Sequence, residues 1–254
     1  LDFILARARY GSDMRCIRPG AAISTVDSEC QADEIGLQLV DARHPLLGGT
    51  AVPLNISMGF GSSALVITGP NTGGKTVALK TVGLLALMHQ SGLQIPVGAG
   101  SVMPVYDGIY ADLGDQQSIE HSVSTFSSHI GNVIHILSSA TPSSLVLLDE
   151  LGSSTDSEEG VALAKAILET LADRKVSTVV TTHHRSLGLY AETYAGMSNA
   201  SFLLDPVGLR PTYTLTRGVV GRSYAMDVAS QLGLHSGIIA RARILLSGHH
   251  LLLD

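Results

Sequence analysis

The segment at residues 69–76 constrains the fold of this chain more than any other. It reads Gly-Pro-Asn-Thr-Gly-Gly-Lys-Thr and matches the phosphate-binding pattern G-x-x-x-x-G-K-[ST] at every required position. A short apolar, β-branched run at residues 64–68 precedes it, and apolar residues at helical spacing follow it through residues 75–90. Because strand, glycine-rich loop and helix occur in the order that the motif requires, the sequence predicts a P-loop within an α/β fold.

Each residue type in this loop suits the binding of nucleotide phosphates. The glycines let backbone N–H groups approach phosphate oxygens, and the start of the following helix adds its positive end. Lys75 would contribute a full charge to the β- and γ-phosphates, and the Thr76 hydroxyl can ligate Mg²⁺. A glycine-rich turn with a surface lysine is the simpler alternative, and the completeness of the pattern argues against it. We predict that ATP or ADP, with Mg²⁺, is bound by Gly69, Pro70, Asn71, Thr72, Gly73, Gly74, Lys75, Thr76 and Val77.

The composition of the 254 residues limits the possible partners. Hydrophobic residues make up 45% of the chain, which is enough for one large α/β domain or two small ones. The net charge is −6 with four lysines, and tryptophan is absent, which argues against a nucleic-acid-binding surface on this chain. No apolar run reaches 18 residues, so we expect no membrane span, no signal peptide and a cytoplasmic location.

The first 35 residues differ in pattern from the rest. Residues 1–15 carry apolar side chains on one helical face, and a Pro-Gly pair and a polar stretch follow. We therefore expect residues 1–35 to be the end of a helix from another domain with a connector, and residues 36–254 to be the P-loop domain. Because the chain does not begin with methionine, we also expect a longer parent protein. Cys16 and Cys30 lack C-x-x-C spacing and are assigned no role.

A second phosphate-related pattern lies at residues 145–150. Four apolar residues are followed by Asp149 and Glu150, which is the Walker B pattern, although a strand leaving the core often ends in this way. The P-loop earlier in the same domain favours the functional interpretation. A buried parallel strand would bring Asp149 beside Thr76 to hold Mg²⁺, and Glu150 would point towards the γ-phosphate and polarise a water molecule.

A pair of histidines follows the next apolar run, at residues 176–181. At the end of a strand beside the Walker B strand, His183 could contact a γ-phosphate or the attacking water. Taken alone, a His-His pair more often marks a surface turn, and His184 could be a solvated neighbour. We therefore predict a catalytic or sensing role for His183 from its strand context.

Hydroxyl and amide side chains are concentrated at residues 116–128, directly before a helical pattern at residues 130–137. Helix N-termini favour anions, so these hydroxyls could contact phosphate; ordinary N-capping explains them equally well. Further on, residues 201–204 and 211–215 predict a hairpin, and two helices are predicted at residues 223–232 and 236–246. Their spacing is that of a helix-turn-helix, but two arginines offer little for reading bases, so packing or dimerisation is favoured.

Together these motifs resemble an ABC-type ATPase domain and, more narrowly, the MutS family. The resemblance rests on Ala42-Arg43-His44-Pro45, the P-loop, Ser124-Thr125-Phe126, Asp149-Glu150-Leu151-Gly152 and Thr182-His183. Thr72 in the P-loop, together with residues 117–120 and 124–129, is similar to the second bacterial subfamily, MutS type two. The resemblance to the MutS family covers essentially the whole chain.

The resemblance implies a mixed sheet flanked by helices, with a C-terminal helix-turn-helix-like dimerisation segment. It further implies a homodimer in which each ATP lies between one subunit's P-loop and the other's signature segment, which includes Ser122, Ser124 and Thr125. Thr155 and Asp156 would form the D-loop, although the family usually has glycine directly before this threonine. Residues 1–35 would end the family's lever or clamp helix.

The expected function is ATP hydrolysis coupled to domain motion, with Lys75, Glu150 and His183 as catalytic residues. The parent protein would bind DNA or ribosomes through domains outside this chain, and no nuclease activity is expected of this part. The alternatives are a nucleotide-gated dimerisation switch with negligible turnover, or a transporter or chromosome-organising ATPase. The last class predicts a Leu-Ser-Gly-Gly-Gln signature, which this sequence does not contain.

Overall fold

A computed structural model describes residues 1–20, 36–59, 61–114, 125–153, 157–205, 208–221 and 224–249. The strands are β1 (Leu37–Ala42), β2 (Leu54–Met58), β3 (Ala64–Thr68), β4 (Ile109–Asp112), β5 (Leu145–Leu148), β6 (Ser177–Thr181), β7 (Met197–Leu204) and β8 (Pro211–Arg217). The helices are α1 (Asp2–Asp13), α2 (Lys75–Gln90), α3 (Thr125–Ser139), α4 (Ser157–Asp173), α5 (Arg185–Thr193), α6 (Ala225–Gln231) and α7 (Ser236–His249). Short 3₁₀ turns cover Pro45–Thr50 and Asn71–Gly73.

Six of the strands form one sheet in the order β4-β5-β6-β3-β7-β8. The first five are parallel and β8 pairs antiparallel with β7, so the sheet is mixed, while β1 and β2 form a separate antiparallel pair. Every residue of β3 and β5 is buried, as expected for parallel strands covered on both faces. The carboxyl ends of β3, β5 and β6 consequently meet at one edge of the sheet.

The two faces of this sheet support two hydrophobic cores. Leu65 and Ile67 of β3 pack on one face with α2 and the β1–β2 pair. Ala64 and Val66 point to the other face, where α3, α4 and α5 supply the packing. Because alternate residues of a strand face opposite sides, a five-residue run can serve both layers. The predicted α/β fold with a mixed sheet flanked by helices is therefore found.

Helix α5 is an element that the sequence did not predict. Glycine at position 188 disfavours a helix on propensity alone. In the folded protein, a Cβ at this position would lie only 2.8 Å from Cγ2 of Thr68. Glycine therefore lets α5 approach β3 closely, and tertiary packing outweighs its weak helix propensity. The first strand of the predicted hairpin begins at Met197, four residues earlier than expected, whereas its second strand and the two C-terminal helices are present as predicted. Within the described parts of the chain, no helix is long and apolar enough to cross a membrane.

Two helical glycines provide a matched test of this packing. A Cβ on Gly83 of α2 would lie 2.6 Å from Leu147 of β5, whereas one on Gly131 of α3 would meet no atom within 4 Å. We expect Gly83→Ala to destabilise the fold by about 1–3 kcal/mol through overpacking. Gly131→Ala should stabilise it by about 0.5–1 kcal/mol through helix propensity. Urea unfolding of both variants measures the two effects, and equal changes would contradict the close α2–β5 contact.

Candidate nucleotide site

The P-loop adopts a backbone that requires glycine at two positions. Gly69, directly after β3, has φ 134°, and a Cβ there would lie 2.6 Å from the carbonyl oxygen of Phe202. Gly74, the N-cap residue directly before α2, is in the left-handed region with φ 97° and ψ 14°. Between them, the 3₁₀ turn Asn71–Gly73 connects the strand to the helix. The loop therefore lies at the helix N-terminus, where backbone N–H groups and the helix dipole favour phosphate.

Lys75 is buried in the first turn of α2, with 1% of its side chain exposed. Its Nζ donates a hydrogen bond to the carbonyl oxygen of Gly69 at 2.8 Å and lies 3.2 Å from Oε1 of Glu150. A buried ammonium is stable only when charge and hydrogen bonds compensate its lost hydration. The loop and the residue after the Walker B aspartate together provide this compensation.

Glu150 connects three elements of the site. Its Oε2 lies 2.7 Å from Nδ1 of His183, which follows β6, while its Oε1 pairs with Lys75. Its backbone N–H donates to the Thr181 hydroxyl at 3.0 Å, and its φ is 51°, in the left-handed region that non-glycine residues seldom adopt. Such strain persists where the surrounding structure enforces it, as it often does at functional sites. The structure thus brings Lys75, Glu150 and His183 together.

Two opposing effects act on the pKa of Glu150. Burial by itself raises the pKa, but the hydrogen bond with His183 and the charge of Lys75 lower it, and the net pKa lies below the ordinary carboxyl value. For the neighbouring His184, burial and the proximity of His183 lower the pKa. His184 Nε2 lies 3.2 Å from the carbonyl oxygen of Gly152, so its ring contacts the turn after Glu150.

Asp149 is buried at the end of β5 and its environment suits a carboxylate. The Thr181 hydroxyl donates to its Oδ1, and its backbone N–H donates to the carbonyl oxygen of Asp112 at 2.8 Å. Its described side-chain partner is Thr181. The expected placement of Asp149 beside Thr76 around Mg²⁺ stays a prediction. A threonine hydroxyl and a carboxylate are hard oxygen donors that fit Mg²⁺, which usually takes few protein ligands together with phosphate and water. Among the described residues, no group of three or more His, Cys, Asp or Glu side chains is arranged so that it could hold a metal ion by itself.

An apolar cavity of about 300 Å³ lies beside the P-loop and was not predicted from the sequence. Tyr213 of β8 closes one side, and a Cβ on Gly74 would lie 3.3 Å from its ring. Tyr213 has φ 55° next to an irregularity in the β7–β8 pairing, so hairpin periodicity gives no signal for its position. The remaining lining comes from Ala42, His44, Leu47, Thr50, Ala51, Val52, Leu54, Gly73, Val77, Ala78, Thr81 and Phe202.

Comparison with known proteins agrees with this geometry. Residues 65–249 match the family model described as MutS domain V. The chain belongs to the MutS family. It is 49% identical over 251 residues to a protein of Pelotomaculum thermopropionicum named Endonuclease MutS2, which covers 99% of the chain and 31% of that relative. A Thermomicrobium roseum protein of the same name is 50% identical over 248 residues, covering 97% of the chain and 31% of the relative. The chain thus spans about a third of the length of these curated relatives.

Membership of the MutS family confirms the resemblance that the sequence motifs indicated, including its similarity to the second bacterial subfamily. Several predicted residues of the family's motifs lie outside the described part of the chain, namely Ser122, Ser124, Thr155 and Asp156. The side chains of Asn71 and Thr125 also lie outside it. Their predicted roles remain predictions, whereas the P-loop, Asp149, Glu150 and His183 are found at one edge of the sheet.

The ion pair and hydrogen bond of Glu150 lead to a pH-dependent effect on stability. Because its pKa is lowered in the folded protein, Glu150 contributes stability fully above the ordinary carboxyl pKa, and this contribution is lost as the pH falls through the lowered pKa. We expect Glu150→Gln to lower the free energy of unfolding by about 1–3 kcal/mol at pH 7, since it weakens the compensation of buried Lys75. The difference from the wild type should shrink as the pH falls from about 7 to 3. Urea titrations at each pH measure it, and a constant difference would contradict the lowered pKa.

Proposed function

We propose that this chain is the ATP-binding and hydrolysing domain of a MutS-type protein and couples ATP turnover at a dimer interface to domain motion. The observation that carries the proposal is the buried Lys75, held between the P-loop carbonyl of Gly69 and the carboxylate of Glu150. This carboxylate also pairs with His183. A cation, a carboxylate and an imidazole thus meet where a P-loop directs its N–H groups towards phosphate.

Catalysis in this site would be mostly electrostatic. Lys75 would turn from Glu150 towards the β- and γ-phosphates, and its burial strengthens the attraction to their charge. Thr76 and Asp149 would hold Mg²⁺, which when bound supplies positive charge to the phosphates. His183, with 46% of its side chain exposed, would sense the γ-phosphate while hydrogen-bonded to Glu150.

The lowered pKa of Glu150 bears on how it would act. A carboxylate with a low pKa is a weak proton acceptor but remains charged at neutral pH. When a triphosphate draws Lys75 away, Oε1 of Glu150 is released to accept a hydrogen bond from the attacking water. We therefore favour orientation and charge stabilisation by Glu150, with His183 fixing the direction of the carboxylate through Oε2.

The apolar cavity beside Gly74 would receive the nucleoside. Its position next to the P-loop and the Tyr213 ring at its side are suited to packing against a flat base. His44, from the Ala-Arg-His-Pro motif, lines the same cavity. Burial, and then the positive charge of Lys80, lower the pKa of His44, which favours a neutral ring against an apolar ligand.

A composite ABC-type site would form between two copies of the domain. Ser122, Ser124 and Thr125 would reach the partner's nucleotide as signature segment, and Thr155 and Asp156 would act as its D-loop. Helix α7, part of the proposed helix-turn-helix-like segment, supports the association, because its apolar side chains Ile238, Ile244, Leu245 and Leu246 are exposed. DNA or ribosomes would bind to domains of the longer protein outside this chain, since its net charge of −6 does not favour nucleic acid.

A second candidate function is a nucleotide-gated dimerisation switch. It is favoured by the Lys75–Glu150 ion pair, which ties the phosphate-binding cation to the water-orienting carboxylate and would keep turnover low until a partner arrives. A pure switch would bind nucleotide but release almost no phosphate at any protein concentration. A dimer-dependent ATPase would gain specific activity on association.

Two substitutions distinguish binding from turnover. Glu150→Gln should lower phosphate release at least about 100-fold, because it removes the charge that orients water, and should leave ATP bound. Lys75→Ala should weaken ATP binding at least about 10-fold, because it removes the main buried cation. The measurements are phosphate release across protein concentrations and equilibrium binding of a fluorescent ATP analogue.

The controls change the same chemical groups elsewhere. Glu169→Gln and Lys165→Ala lie on α4, where they contact Tyr190 of α5, and both should leave binding and turnover unchanged. ATP affinity that is unaltered in Lys75→Ala would contradict the P-loop assignment. Unchanged multiple turnover in Glu150→Gln would remove Glu150 from the mechanism. Phosphate release near zero at every wild-type concentration would favour the switch.

The nucleoside cavity is tested by a ligand that has phosphates but no base. Tyr213→Ala should weaken ATP binding about 3- to 10-fold through the loss of ring contacts, whereas binding of inorganic tripolyphosphate should not change. Tyr213→Phe retains the ring and should behave as the wild type. Equal losses for ATP and tripolyphosphate would show that Tyr213 supports the P-loop itself and not the base.

A further inference from the structure

A buried carboxylate at the end of β4 is hydrogen-bonded to two side chains of α3. Asp112 has 7% of its side chain exposed; its Oδ2 lies 2.7 Å from Nδ1 of His129 and its Oδ1 accepts from Nδ2 of Asn132 at 3.0 Å. His129 and Asn132 are three residues apart, so they lie on the same face of the helix. A carboxylate only accepts hydrogen bonds, so Nδ1 of His129 carries the proton. Both oxygens of Asp112 are therefore bound to one helix.

This network lies directly beside the carboxylates of the proposed ATPase site. The carbonyl oxygen of Asp112 accepts the backbone N–H of Asp149 at 2.8 Å, because β4 and β5 are parallel neighbours. A small cavity of about 40 Å³ has Asp112, His129, Asp149 and Glu150 among its lining residues. A shift of α3 would consequently change the position of the sheet edge that holds Asp149.

Apolar packing by itself would not fix the position of α3. Val133 and Ile136 pack into the core, but the hydrophobic effect has no direction and tolerates sliding and rotation of a helix. Hydrogen bonds to a buried carboxylate are directional, and breaking one leaves a charge poorly compensated. The Asp112 hydrogen bonds therefore constrain the first turns of α3, while Tyr110 and Arg174 bind carbonyl oxygens at its other end.

We propose that Asp112, His129 and Asn132 are positioning residues that hold the first turns of α3 against the edge carrying Asp149 and Glu150, and thereby set the rate of the chemical step. The inference rests on the proposed ATPase function. None of the three contacts Lys75 or the P-loop in the described hydrogen bonds, so nucleotide affinity and turnover should separate. They act through Asp149 and α3.

The opposite end of the same strand pair provides a control. Asp107, at the amino end of β4, accepts hydrogen bonds from the hydroxyls of Ser144, at 2.6 Å, and Thr141. It too is a carboxylate with both oxygens bound, but its side-chain partners precede β5 and do not belong to α3. Asp107→Asn thus disturbs the β4–β5 pair without disturbing the Asp112 network.

The test compares His129→Ala, His129→Asn, Asn132→Ala and Asp107→Asn in the protein at its full natural length. His129→Ala should lower kcat about 10-fold at saturating ATP, with affinity for a fluorescent ATP analogue within about twofold of the wild type. His129→Asn should recover most of the rate, because the side-chain amide nitrogen of the asparagine can replace Nδ1 as the hydrogen-bond donor to Asp112. His129→Ala and Asn132→Ala should be non-additive, because both act on Asp112. Asp107→Asn should leave kcat unchanged.

Several outcomes would overturn the proposal. These are an unchanged kcat in His129→Ala, an equal loss in His129→Asn, a parallel loss of nucleotide affinity, or an equal loss in Asp107→Asn. A failure of the proposed ATPase function itself would be recognised separately, because Lys75→Ala would then leave the affinity for ATP unaltered. If the wild type turns over negligibly, amide hydrogen exchange decides. ATP with Mg²⁺ should then protect α3 in the wild type and His129→Asn but not in His129→Ala, and equal protection in all three would refute the network's role.

Discussion

The burial of the Lys75 ammonium is the constraint on which the rest of the site depends. An uncompensated charge in a protein interior costs several kcal/mol, so oxygen atoms must meet it from more than one direction. The carbonyl of Gly69 and the carboxylate of Glu150 do so. The groups that stabilise the lysine are therefore those that would release it to phosphate, which links the stability of the P-loop to its chemistry.

The parallel sheet explains how residues far apart in sequence reach this lysine. Strand β6 lies between β3 and β5, and its Thr181 hydroxyl donates to Asp149 while accepting the backbone N–H of Glu150. The histidine that follows β6 then falls within hydrogen-bonding distance of Glu150. Because all three strands end at the same edge, a single threonine can bind both the carboxylate of Asp149 and the backbone of Glu150. The strained φ of Glu150 is maintained by this bracing.

The sequence predicted the elements with strong local patterns and failed where tertiary contacts decided. The P-loop, its helix and the strand before Asp149 follow from spacing and residue type alone. Helix α5 was missed because Gly188 is explained by tertiary contacts, with the methyl group of Thr68 and the side chain of Val220. Tyr213 was missed because a positive φ at a bulge places its ring over Gly74, and strand periodicity carries no trace of such a turn.

By itself, the sequence determined the family, the α/β class and the loop at residues 69–76, since glycine positions, a lysine and a β-branched strand are local chemical requirements. Only the tertiary structure decided which partners those residues have. It joined Lys75 to Glu150, gave the Asp149 carboxylate a hydrogen bond from Thr181, and bound Asp112 to α3. The physical reason is that hydrogen bonds and ion pairs depend on distances of a few ångströms between segments, and these distances are set by strand order and packing.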